Sequence, residues 1–204
     1  MPGTSAQEVI HLPQPAYDGP VSVEQAILKR RSVRHYKDAP LTLSEISQLL
    51  WAAQGITTDR GFRTAPSAGA LFPLEVYVAA GNVIQLPAGI YKYNYRDHTI
   101  FQRVDRDQRS KLGRAALNQR SIAAAPAVLL ICAVFERVTR SYGPRGMPYT
   151  FMEVGHAAQN VCLQAVAMGM ATVVIGAFRD EEAKAIANLA DNEEPVYIIP
   201  VGKM

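Results

Sequence analysis

Cysteine is nearly absent from this chain, with Cys132 and Cys162 the only two in 204 residues. Both lie in apolar surroundings, without a Cys-x-x-Cys partner or a histidine at ligand spacing. That excludes a disulfide framework, gives no zinc signature, and predicts buried free thiols. Long apolar runs are missing as well. No stretch approaches the ~20 residues that cross a bilayer, and no basic segment followed by an apolar block opens the chain. The expectation is a soluble, cytoplasmic protein with no membrane partner. There is no large excess of either charge: 21 Lys and Arg against 18 Asp and Glu leave a net charge of +3. With no interleaving of basic and aromatic residues, nucleic acid is not an expected partner. No Gly-x-Gly-x-x-Gly follows the first candidate strand, which argues against a dinucleotide-binding domain of its own. The histidines form no metal-ligand spacing; His11 and His98 read as exposed and His156 as a core histidine bonded to a neighbour.

What is present is an ordinary globular composition, 49% hydrophobic and 19% charged, enough for one domain over 1–204 with a sizeable core. Residues 1–20 hold Pro2, Pro13, Pro15 and Pro20 and predict an extended arm placed to wrap a neighbour. Ser22 and Gln25 form a capping pattern that opens a first helix. Ile46, Leu49, Leu50 and Ala53 mark a second helix ending near Gly55, with Trp51 as a core or interface anchor. Leu74 to Ala80 alternates as a strand, and a hairpin follows from Gly89 to Asn94 and His98 to Phe101. A polar helix is expected from Asp105 to about Leu117. Ala127 to Phe135 is apolar throughout, the pattern of a strand buried on both faces. Residues 136–150 read as a loop over the active site. Phe151 to Gly169 is a helix apolar nearly all round, hence central or at a subunit interface. A buried strand at Ala171 to Ile175, a helix at Asp180 to Leu189 and a strand at Pro195 to Val201 complete the chain.

Two stretches carry chemistry. The first, Ile27 to Tyr36, packs Lys29, Arg30, Arg31 and Arg34 around Ser32 at the close of the first helix. Cations there compensate the helix dipole by ~0.3 to 1 kcal/mol each. Arginine forks beside a hydroxyl also suit a planar, multi-oxygen anion. The spacing leaves both readings open. The second, Thr64 to Pro73, sets small residues between prolines. It reads as a rigid loop with exposed amides or as a plain turn before a strand.

Arg30-Arg31-Ser32-Val33-Arg34 resembles the first motif of the FMN-dependent nitroreductase family. Pro66-Ser67-Ala68-Gly69-Ala70-Leu71-Phe72-Pro73 resembles a second, Gln159-Asn160 the family's dimer helix, and Ile175-Gly176 and the ending Ile-Pro-Val-Gly-Lys two further stretches. The resemblance runs from about residue 22 to the end, with the motifs in order. It implies an α+β, three-layer fold: a central, mostly antiparallel sheet flanked by helices, in an intertwined homodimer with FMN at the interface. It further implies that Arg30, Arg31 and Ser32 hold the phosphate and ribityl end, with Lys203 the remaining basic group able to reach the phosphate. Arg34 would sit at the ring edge near N1 and O2, and Asn118 would present an amide side chain to the pyrimidine. Ile175 and Gly176 would supply backbone N–H groups near N5 and O4. Pro66, Ser67, Ala68, Gly69 and Ala70 would cover a flavin bound mainly by the other subunit.

The activity so implied is a ping-pong hydride transfer through FMN, with NADH or NADPH as donor and a nitro compound or quinone as acceptor. No protein acid or base is obligatory, and no metal is implied. The loop, the Tyr142-Gly143 stretch and Gly-His-x-x-Gln-Asn most resemble the branch that oxidises azolines in modified peptides. In those members a Lys-Tyr pair supplies the base; here Ser141-Tyr142 stands in its place, leaving Tyr142 as the one candidate catalytic side chain. A stand-alone reductase is therefore the first expectation and a peptide azoline dehydrogenase the second. A flavin-binding protein without turnover is the reading from another class.

Overall fold

The computed structural model describes residues 9–204. Among the described residues nine strands run β1 Val9–His11, β2 Leu41–Thr42, β3 Leu74–Ala80, β4 Val83–Ile84, β5 Gly89–Asn94, β6 Thr99–Val104, β7 Ala127–Ala133, β8 Met170–Thr172 and β9 Glu194–Lys203. Seven of them make one sheet in the order β1-β6-β5-β3-β7-β9-β8, antiparallel at every pairing; β2 and β4 form a separate parallel pair. The apolar run from Ala127 earns its place at the centre. Every residue of β7 is buried, between β3 and β9, because a strand covered on both faces can carry no polar alternation.

Alternate residues of β3 feed two cores. Leu74, Val76, Val78 and Ala80 pack on the side of α2 (Leu43–Gln54) and α6 (Gly146–Ala167), with Ile46, Leu49, Leu50, Val154, Ala157 and Val161. Tyr77 and Ala79 face the layer of α3 (Arg109–Ala115), α4 (Arg120–Ala124) and α7 (Asp180–Ala187), through Leu112, Ala116, Ile122 and Ala187. This is the expected three-layer α+β arrangement, a mostly antiparallel sheet between helices. Cys132 and Cys162 are buried and free, as expected.

Several expectations are corrected. The segment 136–150 is not a loop: it forms α5 (Glu136–Tyr142), one 3-10 turn over Gly143–Arg145, and the first turn of α6, which begins five residues before Phe151. Gly143, at φ 55°, makes the break that its polar composition suggested. The polar helix expected from Asp105 is confined to α3. The arm expectation is not among these corrections: residues 9–20 make contacts within their own chain, where β1 joins β6 and Ala16 and Gln48 exchange hydrogen bonds of 2.8 and 3.0 Å. The first eight residues lie outside the described residues. His98 is half-buried, held by Tyr93 Oη at 2.8 Å on Nδ1 and by Ser47 Oγ at 2.7 Å on Nε2. His156, expected in the core, is exposed on α6.

Candidate functional site

Helix α1 (Val23–Lys29) is opened by the Ser22 hydroxyl, which accepts from the Gln25 amide at 3.3 Å, and closed by Arg30. The arginines then part company. Arg31 turns back, its Nη1 donating to the carbonyls of Leu28 at 2.9 Å and Arg30 at 2.8 Å. It therefore satisfies the orphan carbonyls of the helix end, the dipole role that spacing left open. Ser32 instead joins the sheet. It bridges Thr172 in parallel, the Val33 amide donates to the Thr172 carbonyl at 2.9 Å, and Thr172 Oγ1 is tied to Pro200 O at 3.0 Å. This edge holds Ser32 and Arg34 exposed and Arg30 half-buried, and among the described residues neither Arg30 nor Arg34 has a carboxylate partner.

Lys203 closes the same edge, since β9 ends there and the Lys37 amide donates to its carbonyl at 3.0 Å. Its ammonium is paired with Glu45, which also completes the Thr42 capping box of α2. Burial pushes the Glu45 carboxyl up, but the Lys203 ammonium and the Thr42 contacts outweigh it and leave it below the usual range. Lys203 is thus ion-paired within this chain. The Ile175 amide is likewise engaged, donating to the Ile198 carbonyl at 2.9 Å. Of the two expected backbone donors Gly176, which is exposed, is the one left. Asn118 is exposed at φ 63° in the turn after α3, and the Arg179 amide donates to Ala115 at 3.0 Å, which ties that turn to the stretch after Gly176.

The small-residue loop is strained. Gly69, Ala70 and Phe72 have φ of 60°, 53° and 47°, where non-glycine residues pay a steric penalty. Ser67 Oγ accepts from the Phe72 amide at 2.9 Å, and Asn160 of α6 donates to Thr64 O at 3.1 Å. Pro66, Gly69 and Ala70 are exposed; Ser67 and Ala68 are half-buried. Tyr142, at the end of α5, reaches over this loop. A Cβ built on Gly69 would lie 2.8 Å from its hydroxyl oxygen, so only glycine allows that approach.

Beneath the loop lies a cluster that sequence reasoning missed. Arg63 stacks on Tyr95 at 3.5 Å and Phe72 at 4.4 Å, and its Nη1 donates to Gln54 Oε1 at 2.7 Å. Glu153 of α6 is 2% exposed. Burial pushes its carboxyl up to about 7, against the opposing pull of the Ser67 hydroxyl and the Arg63 guanidinium. The available signal was a lone carboxylate within the most apolar helix of the chain.

Strand register separates the two halves of this constellation. The loop enters the sheet at Leu74, which pairs Ala133, which pairs Glu194. At the other end Ala80 pairs Ala127, then Val201, then Thr172, beside Ser32. Six steps along a strand at ~3.3 Å make about 20 Å, so within one chain the arginine edge and the strained loop sit toward opposite ends of the sheet.

The arginine edge fits a phosphate-bearing flavin: two arginines without carboxylate partners, a hydroxyl at a fixed register and an exposed glycine turn. Residues 27–203 match the model of the Nitroreductase family. The chain is 48% identical over 183 residues to the nitroreductase-named protein MJ1384 of Methanocaldococcus jannaschii, covering 90% of this chain and 91% of that protein. A nitroreductase-named crystal structure from Ralstonia eutropha JMP134 superposes with a TM-score of 0.84 at 30% identity, covering 98% of this chain and 91% of its own. The Escherichia coli microcin synthetase McbBCD complex shares the fold at a TM-score of 0.72 and 22% identity, over 94% of this chain and 76% of that one. On the arginine motif, the three-layer fold and these matches together, the chain belongs to the nitroreductase family and is an oxidoreductase.

Proposed function

We propose that this chain forms a homodimer with two shared FMN sites and uses NADH or NADPH to reduce nitro compounds or quinones. The observation that carries the reading is the pairing of open cations at Arg30 and Arg34 with a strained, exposed loop about 20 Å away along the sheet. A two-fold axis brings one chain's loop to the other chain's arginines. FMN supplies the two-electron hydride chemistry when bound. The chain's own groups then divide the work. Arg30 and Ser32 hold the phosphate end, Arg34 sets a positive charge at the ring edge, and Gly176 and Asn118 offer an amide N–H and an amide side chain to the ring. Pro66 to Ala70 of the other subunit exclude water and floor the acceptor site. Purified protein should be yellow, or should bind added FMN near one per subunit, and should bleach on anaerobic addition of NADH or NADPH. A colourless preparation that leaves FMN fluorescence unquenched on titration would sink the reading.

A peptide azoline dehydrogenase is the second reading, favoured by the Tyr142 hydroxyl standing over Gly69. Ser141 carries no amine beside it. Turnover of a thiazoline peptide that Tyr142→Phe abolishes, with quinone reduction unaffected, would select this alternative.

A further inference from the structure

Three buried polar atoms of one cluster have no partner among the described residues: Gln54 Nε2, Arg63 Nε and Glu153 Oε1. Buried atoms of this kind are rare and call for an explanation. Glu153 is placed for more than packing. It faces Gln54-bound Arg63 from the 55–65 segment and the Ser67 hydroxyl from the loop; Tyr95 of the β5–β6 turn and Phe72 enclose Arg63, on which Glu75 and Arg137 also act. Ser67 is half-buried in a loop whose Pro66, Gly69 and Ala70 are exposed, and its hydroxyl acts on this carboxyl. Its oxygen is fixed by the Phe72 amide, leaving the hydroxyl hydrogen to face Glu153 or an acceptor atom on the loop.

We propose that Glu153 and Ser67 form a proton relay beneath the 66–70 loop, with Glu153 holding the proton and Ser67 delivering it to the acceptor. The inference rests on the reductase reading above and supplies what that reading lacked, a protein acid. The balance is simple. A quinone that takes a hydride equivalent, drawn from the nicotinamide donor, is left with one anionic oxygen. That oxygen takes the Ser67 hydroxyl proton as Ser67 Oγ takes the Glu153 proton, and the resulting carboxylate is reprotonated from water before the next turnover. The nicotinamide is oxidised and the quinone reduced by two electrons. A carboxyl titrating at about 7 is matched to this task, being protonated often enough to give and acidic enough to release. Arg63 steadies the carboxylate once it forms.

The test uses the FMN-loaded dimer and Glu153→Gln, Glu153→Asp and Ser67→Ala, with a water-soluble quinone as acceptor. In the unaltered enzyme kcat for quinone should fall as pH rises through neutrality. Glu153→Gln and Ser67→Ala should lower kcat at acid pH by about 10²-fold and flatten that limb, as loss of a general acid does. Glu153→Asp should restore part of the rate with a displaced limb. FMN affinity and reduction by NADH should stay within about twofold in the two Glu153 variants, against the ~10²-fold acceptor effect. Independently of turnover, infrared difference spectra should show a protonated carboxyl band that titrates near neutral pH and is absent from Glu153→Gln. If Glu153→Gln fails to fold, Ser67→Ala carries the same kinetic test. Normal FMN binding and NADH reduction with the alkaline limb unchanged in the variants overturns the relay alone. A protein that binds no FMN overturns the reductase reading and the relay with it, and a missing carboxyl band overturns the proton store whatever the flavin does.

Discussion

At the scale of single residues, the proposed division of work within one five-residue motif gives each arginine its own expected phenotype. Arg34→Ala should lower the flavin midpoint potential, because it removes a cation that favours the negatively charged reduced ring over the neutral oxidised one. Two unit charges ~4 Å apart interact by about 4 kcal/mol at an effective dielectric near 20. A quarter of that is ~1 kcal/mol, or roughly 20 mV for a two-electron couple. Arg30→Ala should chiefly weaken FMN binding. Arg31→Ala should do neither. Its guanidinium caps α1, so the expected loss is about 0.5 to 1 kcal/mol of stability with FMN affinity close to unaltered. Potentiometry at saturating FMN separates the first two, and denaturant titration reads the third; equal losses of affinity in all three variants would return Arg31 and Arg34 to the phosphate. Glu153 adds a pH signature of its own. Its folded value of about 7 lies above that of a free glutamate, so ionising it opposes folding. Stability should fall as pH rises from about 4.3 toward 7 and stay lower above, a slope that Glu153→Gln removes.

At the scale of elements, the strained loop and the arm make separate predictions. Gly69→Ala puts a Cβ at φ 60° and against the Tyr142 hydroxyl at 2.8 Å. A left-handed alanine alone costs about 1 to 2 kcal/mol, so the variant should unfold at lower denaturant and displace Tyr142 while keeping the sheet. A circular dichroism spectrum altered in the far ultraviolet would mean that the loop supports more of the fold than this geometry implies. The arm is tied down by His98, whose Nε2 lies 3.0 Å from Pro13 O and whose Nδ1 meets Tyr93. Burial holds His98 below the ordinary histidine range, against the opposing effect of Pro13. The unfolded chain then binds this proton first. Stability from the latch is present above about pH 6.5 and is lost as pH falls toward the depressed folded value. Amides of β1 and β6 should therefore exchange faster at pH 5 than those of β3 and β7, after correction for intrinsic rates, and His98→Gln should abolish the difference.

At the scale of the whole molecule, α6 shows what the described chain leaves open. Its buried stripe runs Val154, Ala157, Ala158, Val161, Cys162 and Ala165. Met152, Gly155, His156 and Gln159 are exposed at i, i+3, i+4 and i+7, and a Cβ on Gly155 meets nothing. This is a second helix face, part apolar at Met152 and part polar at His156 and Gln159, on which Gly155 leaves room for a partner helix to approach closely. The shared-site proposal has a direct test. Arg34→Ala and Gly69→Ala subunits, each weak alone, are unfolded and refolded together. If each site takes its arginines from one chain and its loop from the other, half the dimers are mixed and each mixed dimer has one intact site. About a quarter of all sites should then regain the wild-type potential and rate, as isologous two-fold pairing requires. No recovery above the mean of the two variants would place both motifs of a site in one chain.

The chain's own pattern determined the element types wherever periodicity was strong. The apolar run at 127 had to be a central strand, Ile46 to Ala53 had to be a helix, and the alternation at 89–101 had to be a hairpin, because burial on two faces, one stripe or one face leaves different marks. The same pattern located the arginines and the small-residue loop of the candidate site, while the glycine turn was marked by the family resemblance. It could not say which of those groups remain available. Arg31 turning onto α1, Ile175 bonding Ile198 and Lys203 pairing Glu45 depend on partners brought close only by the packed fold. The misread stretch at 136–150 was polar and glycine-bearing, yet it folds as helix because Phe135, Val138 and α6 give it a surface to pack on. Tertiary structure alone also buried Glu153 under Ser67 and set the arginine edge and the strained loop toward opposite ends of the sheet. Burial and separation are properties of the folded chain, and residue type and spacing do not encode them locally.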